Sequence, residues 1–163
     1  MGKSANKLET QSATTPNFVL QTGEQSVDPT IISFSQSSVT YQKAGKPYNY
    51  DTLVSDMQSN GWTGSRLDVV NMPDGAPTSL DNTRLLAARE AGINAEVNVH
   101  NFNDPLPEQR ANSLQQPDGS IPHTWGEAIQ MRVQKQTDPK GWAKKYPNGS
   151  IYDPKVIKKG GKK

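Results

Sequence analysis

Apolar positions recur along the chain with two different spacings, one typical of strands and one typical of helices. Residues 95–100 alternate strictly between apolar and polar side chains, which predicts a strand with one buried face. Residues 31–34, 67–72 and 78–80 are rich in β-branched or apolar side chains and predict three more strands. A Pro-Asp-Gly turn at residues 73–75 separates the last two, so together they predict a hairpin.

Three further segments have the helical spacing. Residues 51–60 place apolar side chains on one face and end before Gly61, which tolerates the left-handed conformation of a helix end. The second helix covers residues 82–91, with Asp81 as its predicted N-cap. The third opens with the capping box Thr-Trp-Gly-Glu and extends over residues 124–136. Together with the strands, these helices predict an α+β domain built on a small mixed sheet with about three helices.

The composition limits how much of the chain belongs to this domain. Only 32% of the 163 residues are hydrophobic and the mean hydropathy is -0.79, so the core must be small. We expect a flexible polar segment over residues 1–30, a folded domain over residues 31–152 and a basic flexible tail over residues 153–163. Within the domain, the prolines of residues 102–122 predict a long loop.

Residue counts exclude several classes of protein. The chain has no cysteine and two histidines, which excludes disulfides, thiolate catalysis and cysteine-ligated zinc. No stretch approaches about 18 consecutive apolar residues, and no apolar segment near the first residue resembles a secretory signal. We therefore expect no membrane partner. The formal net charge of +2 is too small to indicate a nucleic-acid partner by itself.

The densest group of polar residues is Asp81-Asn82-Thr83-Arg84, where a predicted strand gives way to a predicted helix. A helix N-terminus directs free N–H groups and a partial positive charge at one spot, and an arginine beside it adds a fork for phosphate oxygens. Asp81 can then orient a water, hold a divalent metal or act as a base. In the simpler interpretation, Asp81 is only an N-cap and Arg84 only a solvated residue of the first turn.

The same junction carries a resemblance to a known fold. The segment Gly-Trp-Thr-Gly at residues 61–64, the predicted hairpin, the Asp-Asn-Thr-Arg motif and the Ala-rich helix that follows resemble the ParB/sulfiredoxin-like fold. In that family an Asp-Gly-x-His-Arg-type motif opens such a helix. The resemblance implies that Asp81, Asn82 and Arg84 are the catalytic residues and that Gln36 lines the site. Asn82 and Thr83 replace the Gly and His of the motif, so a mechanism that depends on that histidine is not expected.

A narrower resemblance covers residues 31–150. The motif, together with residues 34–36, 124–128 and 146–150, is similar to the C-terminal toxin domains of bacterial polymorphic toxins of the Rhs and contact-dependent-inhibition types. This resemblance implies a secreted or delivered effector that acts in the cytoplasm of a target cell and is neutralised by a cognate immunity protein. We expect a monomer, and the ParB-like members imply a nuclease.

Other polar residues are candidates for substrate contacts. Arg132 and Gln136 are four residues apart on the last predicted helix and face the same way, as phosphate-binding residues or as a surface hydrogen-bonding pair. Lys144 and Lys145 belong to a basic region with interleaved aromatic residues, which suits nucleic acid. The predicted substrate-binding residues are Gln36, Thr83, Arg132, Gln136, Lys144 and Lys145.

Carboxylates and histidines give weaker candidates. Asp68, in a predicted strand, can hold Mg²⁺ together with Asp81, whereas Asp74 is more simply a turn residue. His123 is a candidate general base, and His100 is a weaker candidate for a sensor or catalytic role. The simpler interpretation makes His123 a solvent-facing loop residue and places His100 on the non-core face of its strand.

The sequence therefore favours a toxin domain that hydrolyses phosphodiester bonds of nucleic acid, with DNA favoured over RNA. Arg84 would bind the scissile phosphate, Asp81 would position a water or a Mg²⁺-bound hydroxide, and Asn82 would line the site. Two alternatives stay open. One is a toxin that hydrolyses CTP or ATP or transfers a phosphoryl group, and the other is a non-enzymatic DNA-binding module.

Overall fold

The computed structural model describes residues 19–42, 45 and 47–158. Within these residues the chain forms a mixed five-stranded sheet, a separate two-stranded sheet and five α-helices, so the predicted α+β class is confirmed. The number of α-helices exceeds the three predicted. No helix in this part of the chain is long and apolar enough to cross a membrane.

Seven strands build the two sheets. They are β1 (Gly23–Val27), β2 (Ser33–Phe34), β3 (Ser38–Thr40), β4 (Leu67–Asn71), β5 (Pro77–Ser79), β6 (Ala95–Asn101) and β7 (Lys155–Ile157). The large sheet has the order β1-β6-β4-β5-β2, and β3 pairs with β7 in the small one. β6 and β4 are parallel neighbours, whereas β4 and β5 form the predicted antiparallel hairpin.

The five helices begin and end with recognisable local signals. They are α1 (Tyr50–Asn60), α2 (Thr83–Ala91), α3 (Glu108–Ser113), α4 (Trp125–Gln134) and α5 (Trp142–Lys145). A capping box between Asn49 and Thr52 opens α1, and Gly92 ends α2 with a φ of 76°. The Thr124 side chain accepts a hydrogen bond from the Glu127 N–H at the start of α4, as predicted.

Helices cover both faces of the large sheet. On the first face, α1 and α2 pack against Leu67 and Val69 of β4 and against buried residues of β6. On the second face, Val70 packs with residues of α3 and α4, among them Ala111 and Ile129. Alternate residues of β4 therefore enter two different cores, and this arrangement decides which polar side chains meet on the second face.

Each of the two ends predicted to be flexible contains a strand. Gly23–Val27, inside the segment expected to be flexible, pairs along its length with β6 as an edge strand. Lys155–Ile157, inside the expected basic tail, pairs with β3. β1 is mostly polar, because an edge strand needs only part of its surface buried, whereas β7 has two β-branched residues but is only three residues long and lies beside several lysines. The remaining parts of those predictions, residues 1–18 and 159–163, lie outside the described residues.

Two internal predictions also need correction. The strand expected at residues 31–34 is reduced to Ser33–Phe34, since Asp28 caps a 3₁₀ turn over Pro29–Ile31. Residues 102–122, expected to be a loop throughout, contain α3. Pro107 stands at the N-cap of that helix, where a proline breaks no helical hydrogen bond.

Arg89 of α2 ties the two ends of the described chain together. Its side chain is 12% exposed and its guanidinium lies 4.6 Å from the centre of the Phe34 ring. It donates hydrogen bonds to the carbonyls of Pro29, Ile32 and Ile151 at 3.0, 2.7 and 2.8 Å, and to Asp153 Oδ1 at 2.9 Å. One side chain thereby holds residues from both sequence ends against α2.

Candidate functional site

A group of charged and polar side chains lies on the second face of the large sheet, between α3 and α4. We call it the sheet-face cluster, and its members are Asp68, Asp81, His100, Arg110 and Arg132. Asp68 and His100 come from the parallel strands β4 and β6, where Asp68 is opposite Asn98 and Val70 is opposite His100. Asp81 follows β5 and is brought beside β4 by the Leu80 N–H, which donates to the Asp68 carbonyl.

His100 is held from two directions. Its Nε2 is 2.9 Å from Asp68 Oδ1, and its ring stacks on Trp125 of α4 with a centroid distance of 3.7 Å and an interplanar angle of 6°. A carboxylate only accepts hydrogen bonds, so Nε2 of the neutral ring carries the proton and Nδ1 is the basic nitrogen. Among the described residues, Nδ1 has no hydrogen-bond partner. The pair therefore has the form of an oriented general base.

Arg110 of α3 joins the two carboxylates of the cluster. Its Nη2 lies 3.0 Å from Asp81 Oδ2 and 3.5 Å from Asp68 Oδ2. Its Nε is buried and has no hydrogen-bond partner in the described part of the chain. A guanidinium offers five donors in a planar fork, so Arg110 retains donors for a further anion.

Arg132 of α4 is the second arginine of the cluster. Burial lowers the pKa of its guanidinium from the ordinary value, Asp81 raises the pKa and Arg110 lowers it again. Within the described residues its Nε is buried without a hydrogen-bond partner and no carboxylate is within ion-pair distance. The two carboxylates of the cluster balance the two guanidiniums formally, but both carboxylates contact Arg110, so a phosphate would find its ion-pair partner at Arg132.

The cluster is open to solvent along α3. A groove of about 440 Å³ exposes Asp68, His100 and Arg110, and Trp125 forms part of its wall. The side chains of His100, Asp68 and Arg110 are 15%, 25% and 28% exposed. A small polar group can therefore reach the base and the arginine from the same groove.

The Mg²⁺ site predicted at Asp68 and Asp81 does not fit this arrangement. Arg110 lies between the two carboxylates, and Asp68 also pairs with His100. A cation would have to displace the guanidinium from both carboxylates. In the part of the chain that is described, no group of three or more histidine and acidic side chains is placed to hold a metal ion.

The predicted site at the start of α2 is built differently from the expectation. Asp81 does not cap α2, because its carboxylate pairs with Arg110, and the N-cap residue is Asn82, whose side chain makes no capping hydrogen bond to the helix. Arg84 turns away from this pair. Its Nη1 donates to the carbonyls of Thr63 and Ser65 at 2.9 and 2.6 Å, and its guanidinium lies 5.1 Å from the centre of the Trp62 ring. Burial lowers the pKa of Arg84, and Asp81 partly offsets this effect.

Gly64 permits this position of Arg84. It adopts a φ of +89°, and a Cβ at this position would lie 2.6 Å from Arg84 Nη1. The Gly-Trp-Thr-Gly segment therefore forms a binding loop for an arginine of its own chain. The phosphate fork expected at Arg84 is occupied by backbone carbonyls.

Asn82, Gln36 and Gln136 stabilise the path of the chain after β2. Asn82 is 2% exposed; it accepts a hydrogen bond from the Ser35 N–H and donates to Gln36 Oε1 at 2.8 Å. The Gln136 side chain accepts from the Ser37 N–H at 3.1 Å. These amides bind the chain itself, although Gln36 and Gln136 also line a groove beside Arg132. Asn82 is too buried to contact a substrate.

The remaining candidates lie outside the cluster. Thr83 begins α2 and is partly exposed, and Lys144 and Lys145 are exposed on α5. His123 is exposed in the loop before α4, where its N–H donates to Glu127. Asp74 accepts from the Ala76 N–H, which confirms it as a turn residue.

Sequence reasoning did not identify the role of two cluster members. Arg110 lies in a segment whose sequence predicts a loop, and the sequence placed His100 on the non-core face of its strand. The strand alternation does place Asp68 and His100 on polar positions. Their contact, however, depends on the parallel pairing of β4 with β6, which no local pattern reveals.

Comparison with known proteins adds no relative: no family model, no curated protein and no solved structure matches the chain. The ParB/sulfiredoxin-like assignment therefore stays a prediction. The fold and the cluster define an α+β protein with an imidazole–carboxylate pair and two arginines on one face of its sheet.

Proposed function

We propose that the chain is a toxin domain that cleaves phosphodiester bonds of nucleic acid in the cytoplasm of a target cell, and that the sheet-face cluster is its active site. The observation that carries the proposal is the 2.9 Å contact of His100 with Asp68, beside Arg110, which has N–H donors that no described residue accepts. An oriented base next to a phosphate-binding guanidinium is the minimum that this reaction requires. The resemblance to polymorphic toxins supports the biological role and an immunity protein as partner.

The cluster supplies each role from a different element. His100 Nδ1 takes the proton of an attacking water while the new O–P bond forms and the bond to the leaving oxygen breaks; in RNA the 2′-hydroxyl can replace the water. Asp68 holds the ring and stabilises the imidazolium that results. Arg110 and Arg132 bind the non-bridging oxygens, whose negative charge grows during the reaction. Asp81 positions Arg110.

The central experiment compares the two histidines of the chain. His100→Ala should lower cleavage of plasmid or RNA by roughly a hundredfold or more, the usual contribution of a general base. His123→Ala is the matched control, because His123 is exposed and lies outside the cluster, and it should retain full activity. Both variants must show the circular dichroism of the parent. A folded His100→Ala chain with parental cleavage and parental toxicity would refute the site.

A second comparison separates this site from the start of α2. Arg132→Met should abolish cleavage, while Arg84→Met should affect mainly stability because Arg84 binds carbonyls of its own chain. The opposite result would return the active site to Asp81-Asn82-Thr83-Arg84. Incubation with plasmid, RNA and radiolabelled ATP or CTP decides the substrate. If the protein hydrolyses ATP or CTP but cleaves neither plasmid nor RNA, it is a nucleotide hydrolase and not a nuclease.

A further inference from the structure

Three grooves of the molecule are neighbours. The groove at His100 shares the lining residue Ser113 with a groove of about 260 Å³ that contains Arg132. That second groove shares the lining residue Gln36 with a third, of about 380 Å³, beside α5. The three grooves therefore lie in a row from the His100–Asp68 pair, past Arg132, to α5, and we call this row the path.

The far end of this path is lined by aromatic side chains. Trp142, Tyr146 and Tyr152 all line the third groove. The ring centroids of Trp142 and Tyr146 are 5.5 Å apart, and those of Tyr146 and Tyr152 are 6.4 Å apart. Tyr152 is 69% exposed, an unusual position for so large an apolar surface. The rings are inclined to one another, at 52° for Trp142 and Tyr146 and 65° for Tyr146 and Tyr152, so a planar group can stack on the face of one ring at a time.

The charges along the path are almost all positive. Arg132 and Lys135 line the second groove without an acidic residue, and Lys140 and Lys145 line the third. Lys145 Nζ lies 5.5 Å from the centre of the Tyr146 ring. The one acid in the third groove is Asp153, which is 64% exposed and whose Oδ1 lies 2.9 Å from Arg89 Nη1. Aromatic faces with interspersed cations suit a chain of bases and phosphates.

We propose that this path binds single-stranded nucleic acid, with an unpaired base stacked at Tyr146 and Tyr152 and the backbone running past Arg132 towards His100. The strand must be single because a base in a duplex has no free face for these rings. The inference extends the proposed function by naming the form of the substrate. The path can bind a single strand whether or not the protein cleaves it.

The test measures the anisotropy of a labelled single strand of about 12 nucleotides, in the His100→Ala background so that the probe stays intact. Tyr152→Ala should weaken binding roughly tenfold, the loss of one stacked base. Lys145→Ala should weaken binding and reduce its salt dependence by about one phosphate contact. The same oligonucleotide in a duplex should bind more weakly than the single strand.

Matched controls come from the same chain. Lys144 is next to Lys145 on α5 but does not line the groove, and Tyr48 lies in a separate groove beside α1. Lys144→Ala and Tyr48→Ala should bind the single strand as the parent does. The inference is overturned if Tyr152→Ala and Lys145→Ala also bind as the parent does, or if the duplex binds as tightly as the single strand.

The two proposals fail separately. A parent chain that binds single strands through Tyr152 but cleaves neither DNA nor RNA would refute the active site and retain the path. Cleavage that depends on His100, with binding that does not depend on Tyr152 or Lys145, would retain the active site and refute the path.

Discussion

Arg89 should contribute more to folding than any surface arginine, and replacing it with methionine tests this expectation. Methionine keeps much of the apolar stem over Phe34 but removes every hydrogen bond of the guanidinium. The pair with Asp153 counts for little, because that carboxylate is 64% exposed. The three hydrogen bonds to carbonyls have a charged donor and contribute about 1.5 kcal/mol each at the low end of the usual range. We therefore expect a loss of about 4.5 kcal/mol in the free energy of unfolding, a large share of the ~5–15 kcal/mol typical of a domain.

Urea unfolding, followed by tryptophan fluorescence and by circular dichroism, measures this loss. Arg66→Met is the comparison, since Arg66 is 36% exposed and its ion pairs with Glu24 and Glu96 are 3.6 and 3.4 Å long. Its Nη1 also donates to the carbonyls of Gln25 and Val97, at 3.1 and 3.3 Å. That variant should lose about 2 kcal/mol or less, because these two hydrogen bonds are longer than those of Arg89 and the side chain is more exposed. Arg89→Lys should not restore stability, because an ammonium cannot reach carbonyls on separate segments as a planar fork does. Equal losses for Arg89→Met and Arg66→Met would refute the assigned role.

Three further predictions concern a turn, a titrating carboxyl and the arginine without a partner. Gly149→Ala should cost about 2–3 kcal/mol in chemical denaturation, since Gly149 has a φ of 103° and a Cβ would lie 2.8 Å from the Phe34 carbonyl oxygen. Gly141→Ala, with a positive φ but open space, should cost only about 1 kcal/mol, and equal costs would contradict the steric argument. Burial raises the pKa of Asp74, so the folded protein favours the neutral carboxyl. The neutral carboxyl therefore stabilises the folded protein at low pH, and this stabilisation is lost as the pH rises through the raised pKa. Asp74→Asn should therefore raise the melting temperature at pH 7, and the two proteins should melt at similar temperatures below pH 3.8, the ordinary pKa of the carboxyl. An increase in melting temperature that does not vary with pH would exclude titration of Asp74 as its cause. Arg132→Met should raise stability in phosphate-free buffer, because it removes a partly buried charge that has no ion-pair partner among the described residues, and it should abolish the stabilisation that added phosphate gives the parent. Undiminished stabilisation by phosphate in that variant would place anion binding elsewhere.

Local sequence patterns were sufficient to predict those helices and strands whose structure depends mainly on their own residues. The alternation in β6, the caps of α1 and α4 and Gly92 after α2 each predicted an element that the structure contains. β1 and β7 were missed because their stability comes from pairing with distant strands. The short helix α3 was missed because its prolines lie outside the helix that they seemed to exclude.

The candidate site shows the same division between local and distant information. The Asp-Asn-Thr-Arg motif correctly marked a junction of strand and helix, and Asp81 does belong to the cluster. Its neighbour Arg84 binds Thr63 and Ser65 instead, and Arg110 from a distant segment takes the place beside Asp81. Arg84 is the arginine near Asp81 in the sequence. Arg110 is the arginine near Asp81 in space, because α3 packs on the second face of the sheet.

The charge balance of the cluster indicates the order in which a phosphate would engage it, if the proposed function holds. Two carboxylates face two guanidiniums, but both carboxylates pair with Arg110, and within the described residues Arg132 has no ion-pair partner. Arg132 would then be the first contact, because binding there displaces no ion pair that the structure describes and gives a partner to a partly buried charge. A phosphate that next reached Arg110 would compete with Asp81 and Asp68 for its donors. Weakening the Asp68–Arg110 contact would leave the Asp68 carboxylate to His100, so substrate binding would bring the carboxylate and the imidazole into a stronger contact before the base acts.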